Sequence, residues 1–252
     1  MDIDPAVKRV FEKWGFQPHE ELASGYCSRI FGDESRIAKV PFQGEEMTSG
    51  YRAAFLMAER GGPRVFDGDE STGAVLMERI VPGVSLSRIG GPDGDAFDII
   101  RKKVEELEGL PTEGMMPLSE FFSSPDPFQQ FMLDNQREEV FLHGDLHHDN
   151  VLWGREGWVT IDPKGLRGDR AFEAGAFIRN PVPDIASWPN LSFCLRERIV
   201  AWGRALQSEP WRIWGWALAN LRDANTEGDE CWSVVRRELE AIWPDEVPSE
   251  LR

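Results

Sequence analysis

The sequence predicts an α+β protein with a sheet-rich N-terminal lobe over residues 1–80 and a mainly helical C-terminal lobe over residues 95–252. Short strand-like runs separated by turn residues fill the first 80 positions, whereas apolar residues at helical spacing dominate after residue 95. A stretch rich in Pro and Gly at residues 81–94 reads as a connector or hinge. At about 150 residues per domain, a chain of 252 residues has room for one large domain or two small lobes.

The N-terminal lobe begins with a predicted helix, because Asp4 can cap it, Pro5 fits its first turn and Gly15 can end it. A second helix is predicted over Glu45–Glu59. The runs rich in apolar and β-branched residues predict strands at Tyr26–Phe31, Arg36–Val40, Arg64–Phe66 and Ala74–Ile80. These elements predict a small antiparallel sheet accompanied by helices.

The C-terminal lobe carries helical periodicity in five segments. They are Asp95–Leu107, Asp126–Val140, Leu191–Gln207, Trp211–Leu221 and Glu230–Ile242. A β-hairpin is predicted within this lobe, with strands Val151–Trp153 and Trp158–Ile161 joined across Gly154–Gly157. The tryptophans of the late helices are expected to lie in the core, although a flat aromatic wall for a sugar ring is the alternative.

Composition limits the classes of function. Hydrophobic residues make up 41% of the chain and ten residues are Trp, so the chain can bury a core and is not disordered. The formal net charge is −16, which argues against duplex nucleic acid or an anionic membrane as a partner, since both require a basic face. A cationic small molecule is compatible with this charge.

The cellular setting follows from the cysteines and the apolar segments. The three cysteines are widely separated and lack CxxC spacing, so we expect free thiols in a reducing compartment. The first 15 residues lack the apolar core of a signal peptide, and the apolar run Trp211–Leu221 is too short to span a bilayer. We therefore expect a cytoplasmic protein.

The densest polar cluster is HGDLHHDN at residues 143–150, which the predicted hairpin separates from IDPKG at residues 161–165. A hairpin brings its two outer ends together, so Asn150 and Asp162 should be neighbours. Amide and carboxylate oxygens are hard ligands suited to Mg²⁺. Asp145 precedes Asn150 by five residues, the spacing found in kinase catalytic loops, where the Asp accepts a proton from the attacking hydroxyl.

With these residues the sequence resembles the aminoglycoside phosphotransferases, and most of all the streptomycin 6-kinase and hydroxyurea phosphotransferase branch. The resemblance is most specific over residues 141–173. It implies a bilobal, protein-kinase-like fold that transfers the γ-phosphoryl group of ATP to a small-molecule hydroxyl and so confers antibiotic resistance. Asp145 matches the catalytic base of the family, and Asn150 and Asp162 match its Mg²⁺ ligands.

A lysine of the N-terminal lobe should contact the α- and β-phosphates of ATP. Lys39, late in a predicted strand, resembles the lysine of V-A-I-K in kinases. Its usual partner is a Glu on the following helix, but Gly50 occupies the position where that Glu is expected. Glu46 lies one helical turn earlier and is the candidate substitute, and Glu45 is a further one, although both can also simply favour the helix start.

The remaining cofactor candidates follow the resemblance. The strand ending at the connector lines the adenine pocket in this fold, which makes Met77, Glu78 and Ile80 candidate contacts of the base. Lys164 belongs to a DPKG motif in the position of the kinase DFG motif, where it can balance charge near the phosphates. A surface lysine would look the same.

The acceptor site is the feature that the sequence defines least clearly. Acidic residues are expected to surround a cationic acceptor, and the candidates are Asp169, Glu173, Asp223, Glu227, Asp229 and Glu230. A kinase of a metabolic sugar or amino-alcohol is an alternative on the same fold. A non-catalytic pseudokinase is another alternative, and its support is that Gly50 stands where the Glu partner of Lys39 is expected. A binuclear metallohydrolase would use the histidines of residues 143–149, but would need further ligands from distant segments.

Overall fold

A computed structural model describes the chain at residues 3–24, 28–42, 46–89, 93, 95–222, 229–242 and 247–249. The N-terminal part contains a β-sheet and the C-terminal part is mainly helical, which confirms the predicted α+β class. The division into lobes at residues 1–80, 81–94 and 95–252 stays a prediction.

The N-terminal part is built on an antiparallel sheet with the strand order β1-β2-β3-β5-β4. Its strands are β1 (Glu20–Ser24), β2 (Ser28–Gly32), β3 (Arg36–Pro41), β4 (Val65–Asp69) and β5 (Ala74–Glu78). The first strand was not predicted. It lies at an edge of the sheet and begins with two glutamates, so it lacks the apolar alternation of a half-buried strand. The predicted strand start at Tyr26 and Cys27 lies outside the described residues.

One face of this sheet is covered by the helix α1 (Pro5–Lys13). As predicted, Asp4 caps this helix, its side chain accepting a hydrogen bond of 2.7 Å from the amide of Ala6. Phe11 of the helix packs edge to face on Phe31 of β2, with ring centroids 5.6 Å apart. The burial of this aromatic pair fixes α1 on the sheet.

The opposite face is covered by the helix α2 (Glu46–Met57). Ala54 of this helix packs against Val75 and Met77 of β5 in one apolar cluster. Side chains alternate along a strand, so Lys39, two residues after the partly buried Ile37, also faces the α2 side of the sheet.

The helix α2 also belongs to the core of the C-terminal part. Ala53 and Met57 are fully buried, and they share a cluster with residues far along the chain: Leu107, Met115 and Phe141. A single helix therefore packs on the sheet with one side and on the helical lobe with the other. This arrangement joins the two parts of the molecule. The partly exposed region between them, where Lys39, Asp145 and Asp162 lie, is called the cleft.

The same helix lies directly on the IDPKG segment. The Ser49 hydroxyl donates a 2.9 Å hydrogen bond to the carbonyl of Lys164. A Cβ atom at Gly50 would lie 3.1 Å from the carbonyl oxygen of Pro163, and one at Gly165 would lie 2.4 Å from the carbonyl oxygen of Ser49. Two glycines, one on each side, thus allow the backbones to approach closely.

The C-terminal part is assembled from seven helices in the described residues. They are α3 (Ala96–Glu106), α4 (Leu118–Phe121), α5 (Pro127–Asp134), α6 (Ala174–Ile178), α7 (Leu191–Ala205), α8 (Pro210–Leu221) and α9 (Glu230–Ala241). Trp202, Trp214 and Trp216 are almost completely buried in the main core, which confirms that the tryptophan-rich stretch is structural.

The helix predicted over Asp126–Val140 is shorter than expected. It ends at Asp134, and Asn135 follows with its side-chain amide donating to the Phe131 carbonyl at 2.8 Å. Val140 instead begins a strand. Residues 135–139, Asn-Gln-Arg-Glu-Glu, carry no apolar side chain that could continue the buried face of the helix to Val140.

Two small sheets complete the fold. One has the strand order β10-β9-β6 and contains the predicted hairpin, whose strands are β9 (Val151–Gly154) and β10 (Gly157–Thr160). Strand β6 (Val84–Ser85) ties the connector to this hairpin. The other sheet has the order β7-β11-β8, formed by Met116–Pro117, Leu166–Gly168 and Val140–Leu142. Within the described ranges, no helix has both the length and the apolar character needed to cross a membrane.

The contact between α2 and the IDPKG segment predicts a specific cost for Gly165→Ala. Gly165 has φ +69° and no room for a Cβ, whereas Gly109 has φ +78° with nothing within 4 Å of its virtual Cβ. Both alanine variants carry left-handed strain, but only Gly165→Ala also overpacks the contact. We expect Gly165→Ala to lower the free energy of unfolding by about 1–3 kcal/mol more than Gly109→Ala does. Urea unfolding measures this, and equal losses would contradict the tight contact.

Candidate active site

The two ends of the hairpin are fastened together beside the cleft. The amide of Ile161 donates a 2.9 Å hydrogen bond to the carbonyl of Asn150, so Asn150 and Asp162 flank one backbone bridge. Asp162 adopts a left-handed conformation with φ +61°, which is uncommon outside glycine but is tolerated by Asp. The sequence-level expectation that the hairpin gathers these two residues agrees with this geometry.

Asn150 connects the hairpin to the loop that precedes it. Its side-chain amide nitrogen donates to the carbonyl oxygen of Asp145 at 2.9 Å, and the residue is 8% exposed. This hydrogen bond fixes the orientation of the amide, so that the Oδ1 oxygen points away from the Asp145 carbonyl. This hydrogen bond therefore fixes the position of Asn150 relative to the backbone of Asp145.

The two oxygens of the Asp145 carboxylate have different neighbours. Arg179 donates to Oδ1 at 2.9 Å, while Oδ2 lies 3.8 Å from Nε2 of His147. Burial acts to raise the pKa of Asp145, but the positive charges of Arg179 and nearby groups outweigh it and lower this pKa below its usual value. Asp145 is consequently ionised at neutral pH and able to accept a proton.

Arg179 is a functional candidate that the sequence did not reveal. It caps the C-terminal end of α6, and its guanidinium lies 5.8 Å from the ring centroid of Trp232 as well as on Asp145. It stands 34 residues after Asp145 in an apolar segment. Nothing in its immediate sequence indicated a contact with the catalytic loop.

Lys39 reaches across the cleft from the sheet. Its ammonium group forms an ion pair with the Asp162 carboxylate. Burial acts to raise the pKa of Asp162, but the charge and hydrogen bond of Lys39 lower it overall. The lysine predicted to contact phosphates and the Asp predicted to bind a metal are therefore in direct contact.

The partner expected for Lys39 on α2 has a physical reason to be absent at residue 50. Gly50 faces the Pro163 carbonyl too closely for a long side chain to fit between the helix and the loop. The Glu46 side chain lies outside the part of the structure that is described. Its pairing with Lys39 stays a prediction.

Lys164 is half-buried, and its positive charge lowers the pKa values of both Asp145 and Asp162. A charge that acts on both carboxylates lies near the centre of the site, as expected of a residue that balances phosphate charge. Its role as a nucleotide contact stays a prediction.

The adenine candidates occupy the end of β5 and the start of the connector. The Met77 side chain is buried in the cluster beneath α2, and the Glu78 amide donates to the Arg64 carbonyl at 2.9 Å. The Cγ2 atom of Ile80 would lie 3.3 Å from a Cβ at Gly154, so Ile80 lies against the hairpin. The assignment of these three residues to the base stays a prediction.

The buried carboxylate of Glu173 supports the catalytic loop from behind. It is 3% exposed and accepts hydrogen bonds from the amides of His143 at 2.7 Å and Gly144 at 3.3 Å. Burial raises the pKa of Glu173 to about 7, even though these amide hydrogen bonds act to lower it. The expectation that Glu173 borders a cationic acceptor is therefore wrong, because the carboxylate is directed at the loop backbone.

Asp169 is likewise a structural residue, contrary to expectation. It is 3% exposed and forms a buried ion pair with Arg212. Asp229 caps α9 through the amides of Cys231 and Trp232, while Glu230 is exposed at the start of that helix. The acceptor candidates Asp223 and Glu227 lie outside the described residues.

The histidines of the loop have local partners rather than a common ligand. His143 is fully buried, accepts from the Asp145 amide at 3.2 Å and contacts the Ile161 carbonyl at 2.9 Å through Nε2. Burial lowers the pKa of His143 to about 4, so it is neutral. His148 stacks on Phe177 with ring centroids 4.9 Å apart. Among the described residues, no three His, Cys, Asp or Glu side chains form a group that could hold a metal, so the metallohydrolase alternative has no support.

Comparison with known proteins shows the family of the chain. A model of the aminoglycoside/hydroxyurea antibiotic resistance kinases matches residues 122–226. The streptomycin 3''-kinase of Klebsiella pneumoniae is 32% identical over 193 residues, which cover 68% of this chain and 71% of that protein. The chain belongs to the aminoglycoside/hydroxyurea antibiotic resistance kinase family. This membership confirms the resemblance and the expected class of enzyme, a kinase that transfers a phosphoryl group to a small-molecule hydroxyl.

Two further similarities extend over most of the kinase chain. The streptomycin 6-kinase of Streptomyces griseus is 26% identical, with 96% of this chain and 86% of that protein covered. An aminoglycoside phosphotransferase solved as a ternary complex with ADP and hygromycin B superposes with a TM-score of 0.58 at 13% identity, covering 93% of this chain and 96% of that one. The second similarity confirms the kinase-like fold.

The burial of Glu173 predicts a pH dependence of stability. A carboxyl group whose pKa rises from its ordinary value of 4.5 to about 7 on folding binds its proton more tightly in the folded state. Its contribution to stability is therefore present below about pH 4.5 and is lost as the pH rises towards 7. Relative to Glu173→Gln, which has no such proton, the wild-type protein should lose about 3 kcal/mol of unfolding free energy between pH 4.5 and 8.

Urea unfolding of both proteins across this pH range measures the difference between their free energies of unfolding. Titrating groups that the two proteins share contribute equally to both and cancel in this difference. A matched control is Glu120→Gln, which alters an exposed carboxylate on α4. Parallel pH profiles of the wild type and Glu173→Gln would contradict the raised pKa.

Proposed function

We propose that this kinase transfers the γ-phosphoryl group of ATP to a hydroxyl of a streptomycin-type aminoglycoside. The observation that carries the proposal is one connected network at the cleft. Lys39 pairs with Asp162, the amide of the preceding residue Ile161 donates to the Asn150 carbonyl, and the Asn150 side chain donates to the Asp145 carbonyl. The network joins residues suited to hold phosphate, metal and acceptor, and the streptomycin kinases among the relatives support this acceptor.

The donor set of the site fits Mg²⁺. The Asp162 carboxylate is half-exposed to the cleft, and the fixed amide of Asn150 leaves its Oδ1 oxygen as a second hard ligand. When bound there with ATP, Mg²⁺ would supply charge neutralisation for the phosphates. Lys39, which pairs with Asp162, would contact the same phosphates, and this pairing supports that role. ATP as the donor is supported by the nucleotide complex of the aminoglycoside phosphotransferase with the same fold.

Asp145 provides the base. Its Oδ2 accepts the proton of the acceptor hydroxyl as that oxygen bonds to the γ-phosphorus and the bond from phosphorus to the β–γ bridging oxygen breaks. ADP leaves with the electrons of that bond, and the product is a phosphate monoester. Arg179 on Oδ1 keeps the carboxylate ionised and fixes its orientation. Phosphoryl transfer depends mainly on such positioning and on charge neutralisation.

The charge of the protein suits a cationic acceptor. A net charge of −16 favours the approach of a polycation, and the exposed Glu230 and capping Asp229 add local negative charge at the start of α9. Hydroxyurea is the second candidate acceptor, because the matched family includes hydroxyurea resistance kinases. The names of the two relatives differ in the streptomycin position concerned, 3'' or 6, so the product must be identified.

An enzyme assay tests the proposal directly. The purified protein with ATP and Mg²⁺ should convert streptomycin to a monophosphate, detected by mass spectrometry, with the position assigned by NMR. Hydroxyurea is tested in parallel. Formation of neither product would reject the proposed acceptors, whereas phosphorylation of hydroxyurea alone would reject streptomycin in favour of the second candidate.

Asp145→Asn should retain affinity for ATP but lose turnover, because it keeps the side-chain shape and removes the proton acceptor. General-base catalysis contributes roughly 10²–10⁴-fold, so kcat should fall within about that range. Steady-state kinetics with each reactive acceptor measures kcat, and nucleotide titration measures affinity. Asp134→Asn on α5, an exposed residue away from the cleft, is the control. A kcat within about threefold of wild type would remove Asp145 from the role of base.

Asn150→Ala and Asp162→Ala should each raise the Mg²⁺ concentration needed for half-maximal turnover. Because both residues are assigned to one metal site, their effects should be non-additive. The double variant should differ little from the single variant that has the larger effect. Turnover is measured over a Mg²⁺ series at saturating ATP. An unchanged Mg²⁺ requirement in both single variants would show that the metal site lies elsewhere.

A further inference from the structure

The orientation of the His147 ring is set by a backbone hydrogen bond. Its Nδ1 atom accepts from the amide of Asp149 at 3.2 Å. A nitrogen that accepts this bond carries no proton, so in the neutral ring the proton is on Nε2. His147 therefore presents a fixed N–H donor on the side of the ring opposite Asp149.

This donor points to the free oxygen of the proposed base. The Nε2 atom lies 3.8 Å from Oδ2 of Asp145, which is too far for a direct hydrogen bond. Arg179 occupies only the other oxygen, Oδ1. The side chains of His147 and Asp145 are 19% and 27% exposed, so both are partly accessible from outside the protein.

The separation of 3.8 Å fits one oxygen atom between the two groups. An oxygen placed about 2.8 Å from each atom makes a hydrogen bond to both. A hydroxyl in that position donates its proton to Asp145 Oδ2 and accepts a hydrogen bond from His147 Nε2. Its second lone pair is left free to attack phosphorus.

We propose that His147 positions the acceptor hydroxyl by donating its Nε2–H to the attacking oxygen. The inference deepens the proposed function and rests on it. His147 takes no proton in the reaction, since the hydroxyl proton passes to Asp145. Its contribution is to select, among orientations of the hydroxyl, the one in which a lone pair faces the γ-phosphate.

If His147 had only a structural role, His147→Asn would be more active than His147→Gln, or the two variants would be equally active. In that case His147 would matter only because Nδ1 accepts from the Asp149 amide and so shapes the loop. The loop is also held at Asp149 by two other hydrogen bonds, which the hydroxyls of Ser85 and Ser87 donate to the Asp149 carboxylate.

Two substitutions separate these roles. His147→Asn keeps an acceptor near the position of Nδ1 but lacks the distal donor, whereas His147→Gln places an N–H donor near the position of Nε2 but lacks the proximal acceptor. If His147 positions the hydroxyl, His147→Asn should lower kcat/KM for streptomycin by about 10- to 100-fold. His147→Gln should retain several-fold more activity than His147→Asn, and KM for ATP should stay unchanged in both.

The reverse order, with the Asn variant near wild type and the Gln variant impaired, would overturn the proposal, as would equal activity of the two variants. Thermal unfolding and nucleotide titration establish that each variant is folded. His19→Asn changes an exposed histidine of the N-terminal part and is the matched control.

A second measurement keeps this test independent of the named acceptor. If the wild type phosphorylates neither streptomycin nor hydroxyurea, the proposed function fails, but the two variants are still compared in the slow hydrolysis of ATP, where water takes the place of the hydroxyl. The same order of activity is expected there. In ¹⁵N NMR of the wild-type protein, His147 should be protonated at Nε2 and unprotonated at Nδ1. The opposite tautomer would overturn the proposal even if a variant failed to fold.

Discussion

The candidate active site depends on one buried carboxylate, that of Glu173, which accepts hydrogen bonds from the backbone amides of His143 and Gly144. Amide groups buried without an acceptor are costly, and this loop leaves its regular strand just before residue 143. The carboxylate provides the acceptor that the missing strand partner would have provided. The side chains of Asp145 and Asn150 can then face the cleft, because the backbone behind them is already satisfied.

Much of this arrangement was accessible from the sequence because the decisive contacts are local. The spacing of Asp145 and Asn150, and a hairpin that returns the chain to Asp162, involve fewer than 20 residues. The hairpin itself forms as predicted. Strand and turn patterns also predicted the N-terminal sheet, and the resemblance to a kinase family added the roles proposed for its residues.

The parts that were missed or misread depend on distant contacts. Glu173 and Arg179 follow the catalytic loop by about 30 residues, and only the packing of α6 beneath the loop brings them to it. An acidic residue looks the same in sequence whether it faces solvent or a buried amide, so Glu173 was assigned to the acceptor. Strand β1 was missed for a related reason, since its neighbour β2 and not its own pattern determines its structure.

The position of α2 has a consequence for how such an enzyme is controlled. Protein kinases switch by moving the corresponding helix, which makes or breaks the lysine–glutamate pair. Here the helix shares buried residues with both lobes, bonds to the DPKG segment through Ser49 and meets it closely at Gly50. Moving it outward would expose core and break that bond. The fold therefore favours a catalyst that is assembled constitutively, without a switch that depends on moving this helix.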